Sequence, residues 1–230
     1  MAAYIYRGPR REPSDETVPA DQRIIDAAID LYGDRGFTAV SLRTIATQAE
    51  VSAPLIIHHF GSKDGLRRAC DRYAAEIVNH FKTEAVASGH DFTLEMMLGR
   101  VEEVQPILRY IIQSLVIGGP EIDTIMDVFV DHAVTYVAEA VESGLVKPAT
   151  DERRRAVVLL LQGLGAIMLH RQMKRLLGVN PLDDSPSHFG TYLSAVMEIY
   201  TQGVFEPDAF GDLRVHLDSS IDPEPHDAAA

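Results

Sequence analysis

Apolar residues recur along this chain at helical spacings. Ile24, Ala28, Leu31 and Tyr32 fall at i, i+4, i+7 and i+8, and Gly36 stands where that helix must stop. Leu42, Ile45, Ala46 and Ala49 repeat at i, i+3, i+4 and i+7 behind Ser41, a residue suited to cap a helix N-terminus. Ser52 offers a second cap, and Pro54 follows it in a first turn, where a missing N–H costs little. Ile56, His59 and Phe60 share one side of this third helix, so His59 is expected to be half-buried packing, and Gly61 ends the helix. Ser62 opens a fourth helix that runs through Leu66, Ala69, Tyr73, Ile77 and Phe81.

Longer helices follow, broken at Gly89, at Gly118-Gly119-Pro120, between Gly144 and Pro148, and between Gly178 and Pro186. Residues 151 to 177 are apolar on nearly every side from Val157 to Leu169, which predicts one helix buried on more than one face. Residues 187 to 202 carry Phe189, Tyr192, Leu193, Val196, Met197 and Tyr200 as a single stripe. Runs of period two bounded by hairpin turns are missing, and so is any repeat of 20 to 50 residues. The expected fold is all-α. A flexible arm (1–20) precedes a three-helix domain (21–67), a larger helical domain (68–205) and a C-terminal tail (206–230) rich in proline and aspartate.

With 46% hydrophobic residues in 230, the chain can bury a substantial core without staples, and its one cysteine, Cys70, forms no internal disulfide. No apolar run approaches a membrane span and no signal-peptide core opens the chain, so a cytoplasmic protein with no membrane partner is expected. The net charge of -13 argues at first against a polyanionic partner, but it is unevenly distributed. Residues 1–75 hold ten basic and ten acidic side chains, and residues 76–230 hold eleven and twenty-four. Around the third helix, Arg43, Lys63, Arg67, Arg68 and Arg72 outnumber Glu50, Asp64 and Asp71. Arg7, Arg10 and Arg11 in the arm are further candidates for phosphate contact.

Two short helices joined by a few residues, the second capped by Ser52, describe a helix-turn-helix. With about 100° per residue, packing Ile56 and Phe60 against Leu42, Ile45 and Val51 turns Pro54 and His58 outward, flanked by Leu55 and Ile57. His58 can hydrogen-bond a base edge or a phosphate, and Ala53, Leu55 or Ile57 can touch thymine methyl groups. Gly36-Phe37-Thr38, the Ser-x-Arg-x-Ile-Ala of Ser41 to Ala46, Val51-Ser52 and the His-x-Phe-x-Ser-Lys of His58 to Lys63 resemble the DNA-binding domain of the tetracycline-repressor (TetR) family of transcriptional regulators.

The resemblance covers roughly 50 residues and implies that Arg43 and Thr44 approach bases and phosphates. It further implies that Ser52, Ala53, Pro54, Leu55, Ile57 and His58 form the recognition surface and that Lys63 holds a phosphate. Two positions depart from the family pattern. Glu50 stands at the usual glycine of the turn, where a left-handed backbone costs ~1–2 kcal/mol, and Ile57 replaces a frequent tyrosine, removing one phosphate hydrogen bond.

Other chemistries fit poorly. His58 and His59 point about 100° apart and cannot share a metal ion, and neither His-Glu-x-x-His nor Cys-x-x-Cys occurs. Gly163-Leu164-Gly165 lacks the third glycine and the strand of a dinucleotide loop, and no Gly-x-Ser-x-Gly elbow exists. No metal, no cofactor and no catalytic residue is expected.

One helix-turn-helix reads half a site, so a homodimer on a palindromic or near-palindromic double-stranded operator is expected, joined through residues 151–177 and 187–202. The middle helices, 93–143, would then hold a small apolar or amphipathic effector. Arg109, Tyr110, Gln113, Phe129, His132, Tyr136 and His170 are the candidate contacts. The reading is a dimeric repressor released by its ligand. Its alternatives are a helix-turn-helix regulator without a small effector and an all-α enzyme, for which no paired acid/base spacing stands out.

Overall fold

The computed structural model describes residues 18–182, 186–206 and 209–211. The N-terminal arm with Arg7, Arg10 and Arg11, and most of the tail, lie outside the described residues. Every regular element among those described is helical.

Helix α1 (Ala20–Arg35) buries Ile24, Ala28, Leu31 and Tyr32 along one face and ends at Gly36, whose φ of 75° suits only glycine well. Helix α2 (Leu42–Gln48) starts where the Ser41 hydroxyl accepts the Thr44 amide at 3.1 Å. Helix α3 (Ala53–Phe60) has Ser52 in an extended N-cap conformation and Pro54 in its first turn, although the Ser52 side chain makes no capping bond. Helix α4 (Lys63–Ser88) is capped by Ser62, which accepts the Gly65 amide at 3.0 Å. Its 26 residues span about 39 Å. Helices α5 (Leu94–Ile117) and α6 (Pro120–Glu142) meet at Gly118-Gly119, both with positive φ.

The long helix expected over 151–177 is two helices, α7 (Glu152–Met168) and α8 (His170–Leu177), bent by 73° at Leu169. The bend brings the chain back so that Met173, Val179 and Leu182 are buried. Tertiary burial, with no proline at the break, is what interrupts the helix. Burial on more than one face is not reached within the single chain. Only Ala156 of α7 is fully buried, while Leu161 is 54% and Leu169 60% exposed. The apolar surface of this helix exceeds what the rest of the chain covers. The final stretch begins as a 3-10 turn (Pro186–Phe189) before α9 (Gly190–Gln202), a separate compact unit with Met197, Ile199 and Tyr200 exposed.

A single buried cluster runs from Ile24, Ile29 and Tyr32 of α1 through Ile45, Ile56 and Leu66 to Ile107, Tyr110 and Ile111 of α5 and Phe129 of α6. The boundary expected at 67/68 thus falls within α4, and the core is continuous across it. The most extensive helix pairing is α1 with α5. The two helices come close at Gly33, where a Cβ would lie 3.1 Å from Cβ of Arg109 and 3.2 Å from the Tyr110 nitrogen.

Candidate nucleic-acid interface

Helix α3 is seated by one side chain. Ile56 is fully buried, with Leu42, Val51, Ala53 and Phe60 partly buried against the same core. That seating leaves Ser52, Pro54 and His58 exposed, Ile57 44% exposed, and Ala53 and Leu55 half-buried. Pro54 and His58 therefore project outward as the helical spacing requires. His59 departs from expectation. It is exposed, in the last turn of α3, which ends one residue later at Phe60. Its ring lies 5.6 Å from that of His58.

The turn before α3 is tight. Glu50 takes a φ of 55°, and the Val51 amide reaches back to the Ala46 carbonyl at 2.9 Å. The left-handed conformation inferred for a glycine-type position is present in a non-glycine residue, at a strain of ~1–2 kcal/mol. The exposed Glu50 side chain does not relieve it.

At the start of α2, Arg43 is exposed, and the half-buried Thr44 places Oγ1 2.9 Å from Oγ of Ser41. At the start of α4, Lys63 donates from Nζ to the Phe37 carbonyl at 2.6 Å, leaving two N–H donors beside a helix N-terminus that favours anions. Arg67 lays its guanidinium 4.4 Å from the Phe37 ring centre. Phe37 in turn packs on Tyr32 and Tyr110, with ring centres 4.6 and 5.4 Å away. The chain's locally basic segment is thus braced by an aromatic cluster shared with α5.

Sequence reasoning missed Gly65. A Cβ there would lie 1.9 Å from the Phe60 carbonyl oxygen, so the join between α3 and α4 closes only around glycine. A glycine in the first turn of a helix, where it weakens the helix, was the available signal.

The seven residues expected to line an effector pocket do not converge. Arg109, Tyr110 and Gln113 face α1 and α4: Arg109 pairs with Asp34, Tyr110 with Asp71, and Gln113 lies beside Gly36. Tyr110 and Phe129 are core side chains. This follows from α5 packing lengthwise on α1. His132 and Tyr136 share a face of α6, where Tyr136 packs against the Ala133, Val137 and Ala156 cluster and burial pushes its phenol up. The Nδ1 atoms of His132 and of His170 are buried without a hydrogen-bond partner. An open hollow of about 210 Å3 lies elsewhere, between Tyr32, Phe37, Thr38, Lys63, Asp64, Arg67 and Ile117.

Among the described residues no cluster of three or more His, Cys, Asp or Glu is placed to hold a metal ion. No single described helix is long and apolar enough to cross a membrane, although the bent pair α7 and α8 passes by length and composition.

Residues 24–70 match the family model for bacterial regulatory proteins of the tetR family, and residues 102–206 match the tetracyclin repressor-like C-terminal domain. The chain is similar to the HTH-type transcriptional regulatory protein RaaS of Mycobacterium tuberculosis, at 37% identity over 188 residues, 80% of this chain and 86% of that one. In structure it resembles a TetR-family transcriptional regulator from Rhodococcus sp., with a TM-score of 0.58 at 17% identity over 79% of this chain and 98% of that one. It also resembles FadR of Bacillus subtilis, solved in complex with stearoyl-CoA, with a TM-score of 0.51 at 15% identity over 80% of this chain and 98% of that one.

Proposed function

The chain belongs to the tetracycline-repressor family of DNA-binding transcriptional regulators, and from that premise we propose that it is a homodimeric repressor released from its operator by a small apolar or amphipathic ligand. The observation that carries the reading is the seating of α3, with Ile56 buried and Pro54 and His58 presented outward beside the basic start of α4. In this reading Ser52, Ala53, Pro54, Leu55, Ile57 and His58 enter the major groove. Arg43, Thr44 and Lys63 hold the flanking phosphates.

Two heads are needed for a two-fold operator, with half-sites ~34–36 Å apart or a multiple of that. The uncovered apolar side chains of α7 and α8, Leu161, Leu169, Leu176 and Leu177 among them, supply a face for a second copy. Helix α9, taken by itself, offers another in Met197, Ile199 and Tyr200. His132, Tyr136 and His170 are the remaining candidates for ligand contact, since two of them hold buried ring nitrogens without partners. Ligand binding shifts the packing that α4 conveys to the head, and a typical coupling of ~1–3 kcal/mol changes operator affinity about 5- to 150-fold.

The test is footprinting of the full-length protein on the DNA upstream of its own gene, with sedimentation at micromolar concentration. Two protected half-sites and a dimer are expected. A monomer in solution, or uniform weak protection, would refute the proposal.

A further inference from the structure

Two consecutive residues of α5 join parts of the chain that are remote in sequence. Arg109 donates from Nη1 to the Leu182 carbonyl at 2.9 Å, in the segment that follows α8. The same guanidinium places Nε 3.4 Å from Oδ1 of Asp34, in the last turn of α1. Tyr110 donates its one phenolic hydrogen to Oδ1 of Asp71 at 2.5 Å, and the same oxygen lies 3.3 Å from the Arg67 carbonyl, both on α4. The backbones of α1 and α5 approach closely at Gly33, where a Cβ would lie 3.1 Å from Cβ of Arg109.

The far end of this link is firmly held. Val179, Asn180 and Leu182 are all buried, and the Asn180 side chain accepts the Leu182 amide at 3.1 Å. That bond fixes the turn that presents the Leu182 carbonyl to Arg109. None of these residues lies on the recognition surface, and Arg109 and Asn180 are far from it in sequence. We propose that Arg109 is a positioning residue that ties the DNA-reading head to the segment following α8, so that the packing of α8 sets the pose of α1 and, through it, of α2 and α3.

Arginine suits this role because its planar fork donates in two directions at once, whereas a lysine ammonium is a compact point charge at the end of a flexible stem. The ion pair alone stabilises little, since the Asp34 side chain is 62% exposed. The value of Arg109 lies in holding both partners in one geometry. The biological consequence rests on the proposed use of the α7 and α8 face by a second copy: a shift of α8 there would reach the head through this residue.

The experiment compares hydrogen exchange in four full-length proteins: wild type, Asn180→Ala, Arg109→Lys and the double variant. Asn180→Ala should speed exchange of amides in residues 31–38 about threefold or more. In the Arg109→Lys background the same change should leave 31–38 unmoved while residues 176–182 still loosen. Equal acceleration in both backgrounds, or none in the wild-type background, would overturn the proposal. If Arg109→Lys folds poorly, Asp34→Asn cuts the head side of the link at an exposed carboxylate and should give the same result. No DNA, ligand or dimer enters this readout, so a monomer by sedimentation would refute the dimer reading and leave this one standing.

Discussion

Tyr110 donates its phenolic hydrogen to Oδ1 of Asp71 at 2.5 Å, and both side chains are buried between α4 and α5. A hydrogen bond to a buried carboxylate contributes about 1.5–3 kcal/mol, because its removal deprives the charge of a donor that water cannot replace. Tyr110→Phe should therefore lower the unfolding free energy in urea by about that amount while changing little volume. Loss of less than about 0.5 kcal/mol would mean that Asp71 is satisfied without Tyr110.

The same enclosure should make the fold sensitive to alkali. Burial raises the pKa of the Tyr110 and Tyr32 phenols and of the Cys70 thiol, with neighbouring Asp71 adding to the effect at Cys70. In each case the native state holds a proton that the unfolded chain releases, so stability is complete below the unfolded values and is lost as pH rises above them. The loss should begin near the thiol's ordinary value of about 8.5 and steepen near the phenol value of about 10, by about 1.4 kcal/mol per pH unit for each group. Urea midpoints measured from pH 7 to 10.5 check this. In Cys70→Ala the decline should start only in the phenol range.

Gly65 and Glu50 are opposite cases of backbone fit. Gly65→Ala forces a Cβ into the Phe60 carbonyl, 1.9 Å away, and backbone cannot rotate aside as a side chain can. The variant should lose about 2 kcal/mol or more and should bind DNA weakly, because α3 is re-aimed at its C-terminal end. Glu50→Gly should instead gain about 0.5–1 kcal/mol, since relief of the left-handed strain at φ 55° exceeds the added freedom of the unfolded chain. Thermal unfolding of the two variants beside wild type decides both signs.

What the sequence made legible was local chemistry. Ser41 and Ser62 cap because their hydroxyls need only reach an amide three residues on, and Gly36 and Gly61 stop helices through their own φ. The outward face of α3 followed from one buried residue, Ile56, and the helical repeat. What stayed hidden was set by partners far along the chain. Arg109, Tyr110 and Gln113 read as pocket residues because nothing near them in sequence announces Asp34, Asp71, Gly36 or Leu182. The bend at Leu169 has no proline or cap to mark it, since it is imposed by burial of Met173 and Val179. His59 was misplaced because a helix that stops at Phe60 has no following turn to cover it.

The division of labour on the proposed DNA-facing surface can be separated by salt and by sequence. Lys63 sits at the α4 N-terminus with one N–H on the Phe37 carbonyl, so Lys63→Ala removes both the proposed phosphate contact and a brace. Binding to every DNA sequence should weaken, and the slope of log affinity against log salt should fall by about one. Lys63→Arg separates the two effects, since it keeps the charge; the salt slope should return even if the Phe37 bond does not. His58 projects from the last turn of α3, the proposed recognition helix, without a buried role. His58→Ala should leave the salt slope nearly unchanged on random DNA and cost about 1–3 kcal/mol on the operator alone. Mobility shifts on operator and random duplexes at two salt concentrations give all four quantities. Equal loss on both duplexes with His58→Ala would assign that side chain to the phosphates and leave base readout to Ser52, Ala53, Pro54, Leu55 and Ile57.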